Sequence, residues 1–311
     1  MGVANLFAKI DLKATLLATL ALLIVAAVTY VIPVAGLILF FVATVPGIIL
    51  WHKSIMSFGI AALITVVLTV LLGSEGVLSY IIFILILSLI IGQLLKERTS
   101  KERILYISTT YMSIISLAGF MLLQVFDKLP LSQVLVKPFK DQMYQAMAMS
   151  GLDASSRSVL EEGFRQLAVQ LPSYTIIVIF IMILINLIVS FPILRKFKIA
   201  TPVFKPLYAW QFKRVLAYIY FIVLLCVMFA TQPGTFQSIV LNMQVILSFI
   251  MFIQGLSFIA YFAKAKRLPV GVGILLMIIG FLLTPVIPII GLLGVVDITF
   301  NLKRFIKNDL R

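Results

Sequence analysis

Few residues in this 311-residue chain could carry bond-making chemistry, and they lie far apart. There is one histidine, His52, and one cysteine, Cys226. Zinc sites draw about three or four ligands, mostly from Cys and His, so no metal centre is expected. His52 stands between Trp51 and Lys53 at the end of an apolar stretch and reads as an interfacial anchor. Cys226, within Leu224-Leu225-Cys226-Val227, reads as a small core residue. The chain holds no G-x-x-x-x-G-K-[ST], H-E-x-x-H or Gly-rich dinucleotide turn, and no G-x-S-x-G elbow. The expectation is a protein that is not an enzyme and carries no cofactor.

The informative polar residues are those inside apolar stretches, because each must find a partner in dry surroundings. Gln237, Gln244, Ser248 and Gly255 follow one another at intervals of 7, 4 and 7, which is one face of a helix. Asn242 and Gln254 fall off that stripe, and Asn186 sits inside Tyr174–Leu194. Two uses are open. Such groups join helices by hydrogen bonds worth roughly 0.6–2 kcal/mol each. Alternatively Asn186, Gln237, Gln244, Ser248, Gln254 and Gly255 line a site for a small solute. Near the C-terminus Asp297 precedes Asn301 by four and Arg304 by seven, so all three could share one helix face. A structural Asp297–Arg304 ion pair is expected there, with proton coupling by Asp297 as the sharper alternative.

The elements that must position these groups are membrane spans. The chain is 62% apolar and 12% charged, with a mean hydropathy of +1.19. Soluble domains are about 45–50% apolar and about 25% charged, so an ordinary soluble globular protein is excluded. A span needs roughly 20 apolar residues. Stretches 14–31, 34–51, 55–72, 77–95, 106–126, 174–194, 215–230 and 236–262 qualify. The block 268–300 is too long for one simple span, and Pro285 and Pro288 interrupt it. The expected fold class is all-α: a polytopic transmembrane bundle of about eight to ten helices. The first stretch lacks a small-x-small cleavage site and runs into the second, so it reads as an uncleaved helix.

The formal charge of +14 reports orientation. Basic residues collect in alternate connections, at Lys9 and Lys13, Lys53, Lys96 to Arg103, Arg195 to Arg214, and Lys264 to Arg267. The intervening connections around residues 30–34, 73–76 and 231–235 hold none. That is the positive-inside pattern with a cytoplasmic N-terminus. The tail with Lys303, Arg304, Lys307 and Arg311 should stay inside too, so block 268–300 is expected to make a broken hairpin. The charge thus points to an anionic inner leaflet as partner, and nucleic acid is not expected.

Residues 127–172 form the one sizeable polar segment, with five basic and five acidic side chains. They read as two amphipathic helices parted at Ser150-Gly151, an extracellular hairpin on the membrane surface or a lid. Ser158 with Glu161 has the spacing of a capping box. Three consecutive segments are expected: a bundle over 1–126, the hairpin over 127–172, and a second bundle over 173–311.

The run Pro33-Val34-Ala35-Gly36-Leu37, then Val45-Pro46-Gly47 and His52-Lys53, resembles the N-terminal pattern of the YybS-like bacterial multi-pass membrane proteins. So do Pro202-Val203-Phe204 with Trp210, Ile253-Gln254-Gly255-Leu256-Ser257, and the ending from Gly291 to Arg304. The ending departs from the pattern where Gly294-Val295-Val296 separates the leucines from Asp297. The N-terminal part of that family is similar to the S components of energy-coupling factor transporters. That resemblance implies a fold with an outward-facing pocket. It also implies that Ala14 and Ala18, an Ala-x-x-x-Ala on the first helix, pack against a coupling subunit. The expected function is solute binding or transport with a partner energising subunit and ATPase, since this chain has no nucleotide site. The alternative is a non-catalytic scaffold for envelope or signalling proteins.

Overall fold

The structure is a computed structural model that describes residues 10–125, 136–150, 154–283 and 285–309. All regular structure among them is helical, as the composition required. The helices are α1 (Leu12–Val31), α2 (Pro33–Lys53), α3 (Ile55–Leu71), α4 (Glu75–Lys96), α5 (Lys101–Val125), α6 (Lys137–Ser150) and α7 (Ala154–Lys196). After a short 3-10 turn, Leu207–Ala209, come α8 (Val215–Phe229), α9 (Thr235–Ala265), α10 (Val270–Leu282), α11 (Val286–Phe300) and α12 (Leu302–Asp309). Among the described residues six helices are long and apolar enough to cross a bilayer, and four shorter helices of 10–17 residues are also apolar.

Local chemistry sets the boundaries. Asp11 caps α1 by accepting from the Ala14 N–H, and Ser54 and Ser74 do the same for α3 and α4. Pro33 opens α2, where its missing N–H costs nothing and its ring keeps Ile32 out of the helical region. The last apolar block holds two helices, α10 ending at Leu282 and α11 beginning at Val286.

Two expected boundaries shift. The helix containing Ser158 begins at Ala154, so Ser158 lies within it and does not open a capping box. Nor does that helix stop at Pro172. It runs on as one 43-residue element to Lys196, so the second half of the expected hairpin is continuous with the span that follows. At 1.5 Å per residue it is about 65 Å long, roughly twice the hydrocarbon thickness. Residues 127–135 and 151–153 of the expected hairpin lie outside the described residues.

The chain divides into two compact units. One comprises residues 1–118 and 178–204, the other residues 119–177 and 205–311. Each is discontinuous in sequence because α7 contributes its N-terminal part to one and its C-terminal part to the other.

In the first unit α2 packs against α1 and α4, and α1 against α3. Its core includes Leu22, Ile48, Ile84, Leu87, Ile104, Met112, Leu187 and Phe191, all buried. Glycine permits the closest approaches. A Cβ on Gly47 would meet the Ser88 side chain at 2.7 Å, and one on Gly92 the Trp51 ring at 2.8 Å. In the second unit α9 is the axis, packed against α8, α10, α11 and the 3-10 turn. Outward apolar side chains such as Leu71, Val125, Met228 and Phe229 remain exposed, as a lipid-facing surface requires.

Candidate functional site

A cluster of buried polar side chains lies in the second unit, where α9, α11 and α12 meet the segment around the 3-10 turn. Gln254, Ser257 and Asp297 are fully buried there, and Lys303 nearly so. The Gln254 amide donates to the Asp297 carboxylate and to Gln211 Oε1 (3.1 Å), and its oxygen accepts from the Phe212 N–H (3.1 Å). The Lys303 ammonium stands 3.8 Å from Asp297, donates to Ser257 Oγ at 2.7 Å, and reaches the Trp210 carbonyl. The Ser257 hydroxyl also lies 2.7 Å from the Leu207 carbonyl. Burial pushes the Lys303 ammonium below the usual lysine range, and Asp297 pulls it partly back.

This arrangement corrects the expected Asp297–Arg304 pair. Asn301 takes a left-handed conformation (φ 54°, ψ 56°) that ends α11 and breaks the helical register between the two. Arg304 is therefore exposed, and Lys303 turns inward. Asp297 also accepts from the Lys303 backbone N–H (3.3 Å), so one carboxylate serves both the ammonium and the start of α12.

The six residues expected to line a solute site do not converge. Gly255 is a packing residue: a Cβ there would stand 2.0 Å from the Ile290 carbonyl oxygen, and one on Gly294 would stand 1.9 Å from that of Met251. This pair lets α9 and α11 touch backbone to backbone. Gln254 belongs to the cluster above. Ser248 Oγ lies 3.4 Å from the Tyr220 hydroxyl on α8. Gln237 borders a small cavity of about 100 Å³ with Glu162, Arg165 and Ser238, and Gln244 is half-buried on the same helix. Asn186, in the first unit, donates to the Phe40 carbonyl (2.8 Å) and accepts from Thr44 (3.1 Å), joining α7 to α2.

Ala14 and Ala18 face the core of their own unit, Ala14 only in part. Ala18 is buried and Ala14 packs against the same core, because α1 buries the face carrying Thr15, Ala18, Thr19, Leu22 and Val25.

Two features of the first unit escaped the sequence. Thr19, Ser108, Thr109, Ser113 and Ser190 are buried hydroxyls with no hydrogen-bond partner among the described residues. Elsewhere in the unit buried threonines return the proton to the preceding turn, as Thr29, Thr65 and Thr69 do at 2.7 Å. On α5 the buried face reads Ile104-Leu105, Ser108-Thr109, Met112-Ser113, adjacent pairs one turn apart. That spacing was the available signal. The second feature is a cavity of about 450 Å³ where α2, α4 and α7 end, bordered by His52, Lys53, Lys96, Arg98 and Lys198. Arg98 and Lys198 follow their helices at φ 53° and 62°. A side chain other than glycine pays about 1–2 kcal/mol for that conformation.

The apolar spans, the helix-only architecture and the interhelical polar joins define a polytopic integral membrane protein. A family model described as "Predicted membrane protein (DUF2232)" matches residues 19–298, and the chain belongs to that family. It is 29% identical over 150 residues to the uncharacterised protein YybS of Bacillus subtilis, which bears out the resemblance to the YybS-like proteins. That alignment covers 48% of this chain and 48% of YybS, so it spans about half the length of the relative. No solved structure matches.

The residues behind the resemblance have structural work to do. Gly36 accepts from the Tyr80 hydroxyl (2.6 Å), Gly47 seats Ser88, and His52 and Lys53 border the basic cavity. Gln254, Gly255, Ser257, Gly294, Asp297 and Lys303 build the joint between α9, α11 and α12.

Proposed function

We propose that the protein binds a small polar solute within its first unit and works with a separate energising subunit. It is non-catalytic and has its N-terminus in the cytoplasm. The reading is supported above all by the five buried hydroxyls without partners. An unsatisfied buried polar group costs roughly 1–3 kcal/mol, and such groups mark places where a bound molecule or water belongs. Four of the five lie on α1 and α5, in the N-terminal part read as similar to S components, and Ser190 lies on α7. The orientation rests on charge: 20 of 25 basic residues fall in connections assigned to the cytoplasm, and residues 127–172, assigned outside, carry none of that excess.

Native mass spectrometry of the purified full chain tests the reading. The expected result is a small molecule that co-purifies with the protein and is lost from a Ser108→Ala/Ser113→Ala variant. A variant that retains the same molecule, or a wild-type protein that carries none, would count against solute binding.

The scaffold reading draws on a different observation. Asn186, Asn242 and Gln254 are all spent on joins between helices. A bundle so closed would serve partners through its loops, and capture of a stable protein complex without any solute would favour it.

A further inference from the structure

We infer that the cavity at the ends of α2, α4 and α7 is a binding site for a phosphate group. Its volume of about 450 Å³ falls within the range of small-ligand sites, about 300–1,000 Å³. Four lysine and arginine side chains and His52 border it, and among the described residues no acid does. Lys53 is held by Asp11 at 3.0 Å, and the Lys96 ammonium lies 5.2 Å from the centre of the Trp51 ring. Among the described residues no acid pairs with Lys96, Arg98 or Lys198. The His52 ring donates from Nδ1 to the Ile48 carbonyl at 3.2 Å, so in the neutral ring Nε2 is an acceptor that can meet only a protonated phosphate oxygen.

A cation near a helix C-terminus is ordinary, because it offsets the helix dipole. What that does not explain is the backbone. α4 and α7 close with the same hydrogen bonds: Thr99 N–H to the Leu94 carbonyl and Arg98 N–H to Leu95, then Ile199 N–H to Leu194 and Lys198 N–H to Arg195. The left-handed position of this motif is the one glycine fills best. Here both hold a cation, and both cations border one cavity. A cation in a last turn would offset the dipole without that strain. Several cations converging on a site where spans end suit a multiply charged oxyanion at headgroup depth.

Both strained positions make a clean test, because glycine relieves the backbone while removing the charge. Arg98→Gly and Lys198→Gly should fold with thermal stability equal to or above that of the wild type. Arg267→Gly is the control: it has the same closing motif at φ 54°, belongs to the other unit and is not among the residues that border the cavity. Binding of inorganic pyrophosphate to the detergent-purified chain is measured by calorimetry. Retention of phosphatidylglycerol against phosphatidylcholine is measured by native mass spectrometry. Each lost charge should weaken binding about fivefold, the double variant about 25-fold, and the control should bind like the wild type. Loss in the pyrophosphate arm assigns the site to a soluble phosphate compound, and loss in the phosphatidylglycerol arm alone assigns it to a lipid headgroup. Wild-type binding in neither arm, unchanged binding in both glycine variants, or equal weakening in Arg267→Gly would overturn the site.

Discussion

The side-chain amide of Asn242 on α9 addresses the backbone of α7 at Ser173. Its oxygen accepts from the Ser173 N–H at 3.1 Å, and its nitrogen donates to the Val169 carbonyl at 2.8 Å. Those two backbone groups stand four residues apart, the spacing of a helical hydrogen bond. The Ser173 hydroxyl adds to the grip, 2.7 Å from Asn242 Oδ1 and 2.8 Å from its carbonyl. Pro172, immediately before, offers no N–H to the turn. An amide supplied from a neighbouring helix helps α7 pass a proline at which a helix would ordinarily end.

Asn242→Leu should therefore destabilise the protein, by roughly 0.6–2 kcal/mol for the lost contacts. Ser173→Ala should cost less, since the backbone contacts survive. Thermal unfolding in detergent, followed by helical circular dichroism, ranks the two. An unchanged midpoint for Asn242→Leu would contradict this account of the Pro172 turn.

Gly255→Ala and Gly294→Ala each place a methyl group against a carbonyl oxygen of the facing helix. Overpacking of this kind costs typically 1–3 kcal/mol. Gly59→Ala, where a Cβ meets nothing within 4 Å, should be neutral to slightly stabilising. Comparing the three unfolding midpoints tests whether the α9–α11 contact depends on glycine.

The Asp297–Lys303 pair predicts a non-additive cycle. Removing one partner of a buried pair costs about 3–5 kcal/mol, because the other charge is stranded. Asp297→Asn/Lys303→Met should therefore be less harmful than the sum of its single substitutions. Additive losses would mean that the two groups act independently.

The same lysine sets a pH dependence. Its folded-state pKa lies below the ordinary 10.5, so the unfolded chain holds more protons in the window just beneath that value. The contribution of Lys303 to stability should accordingly rise as pH climbs through this window. Asp297→Asn removes the charge that favours the ammonium and should extend the rise to lower pH. Denaturation midpoints measured from neutral pH upward, with Lys303→Met as the reference, provide the check.

Among the hydroxyls, Ser108→Ala should be neutral to stabilising in ligand-free protein, because a buried group without a partner is deleted. Thr65→Val, which removes a satisfied hydroxyl, should not stabilise. A large loss in Ser108→Ala would reveal a partner for that hydroxyl.

Hydropathy and proline placement located most of the helices, since burial of a span in lipid depends on composition over some 20 neighbouring residues. The same reasoning failed at Pro172, where a residue 70 positions away overrides the local signal. It also failed at Arg304. An unbroken helix would put Arg304 on the face of Asp297, but the left-handed turn at Asn301 rotates Lys303 into that place. The periodic stripe of Gln237, Gln244, Ser248 and Gly255 is a true helix face, yet its members meet different neighbours. Periodicity identifies a face and does not say what lies opposite.

What the sequence determined by itself is the membrane-embedded helical class, because solvation in lipid is decided locally by each span. What the tertiary structure alone decided is which polar group meets which: Asn242 with Ser173, Lys303 with Asp297, and the cations of three separate loops around one cavity. The first and last of these join residues distant in the chain, where only the packing of helices selects among the partners that composition leaves equivalent, and Lys303 reaches Asp297, six residues away, through the left-handed turn at Asn301.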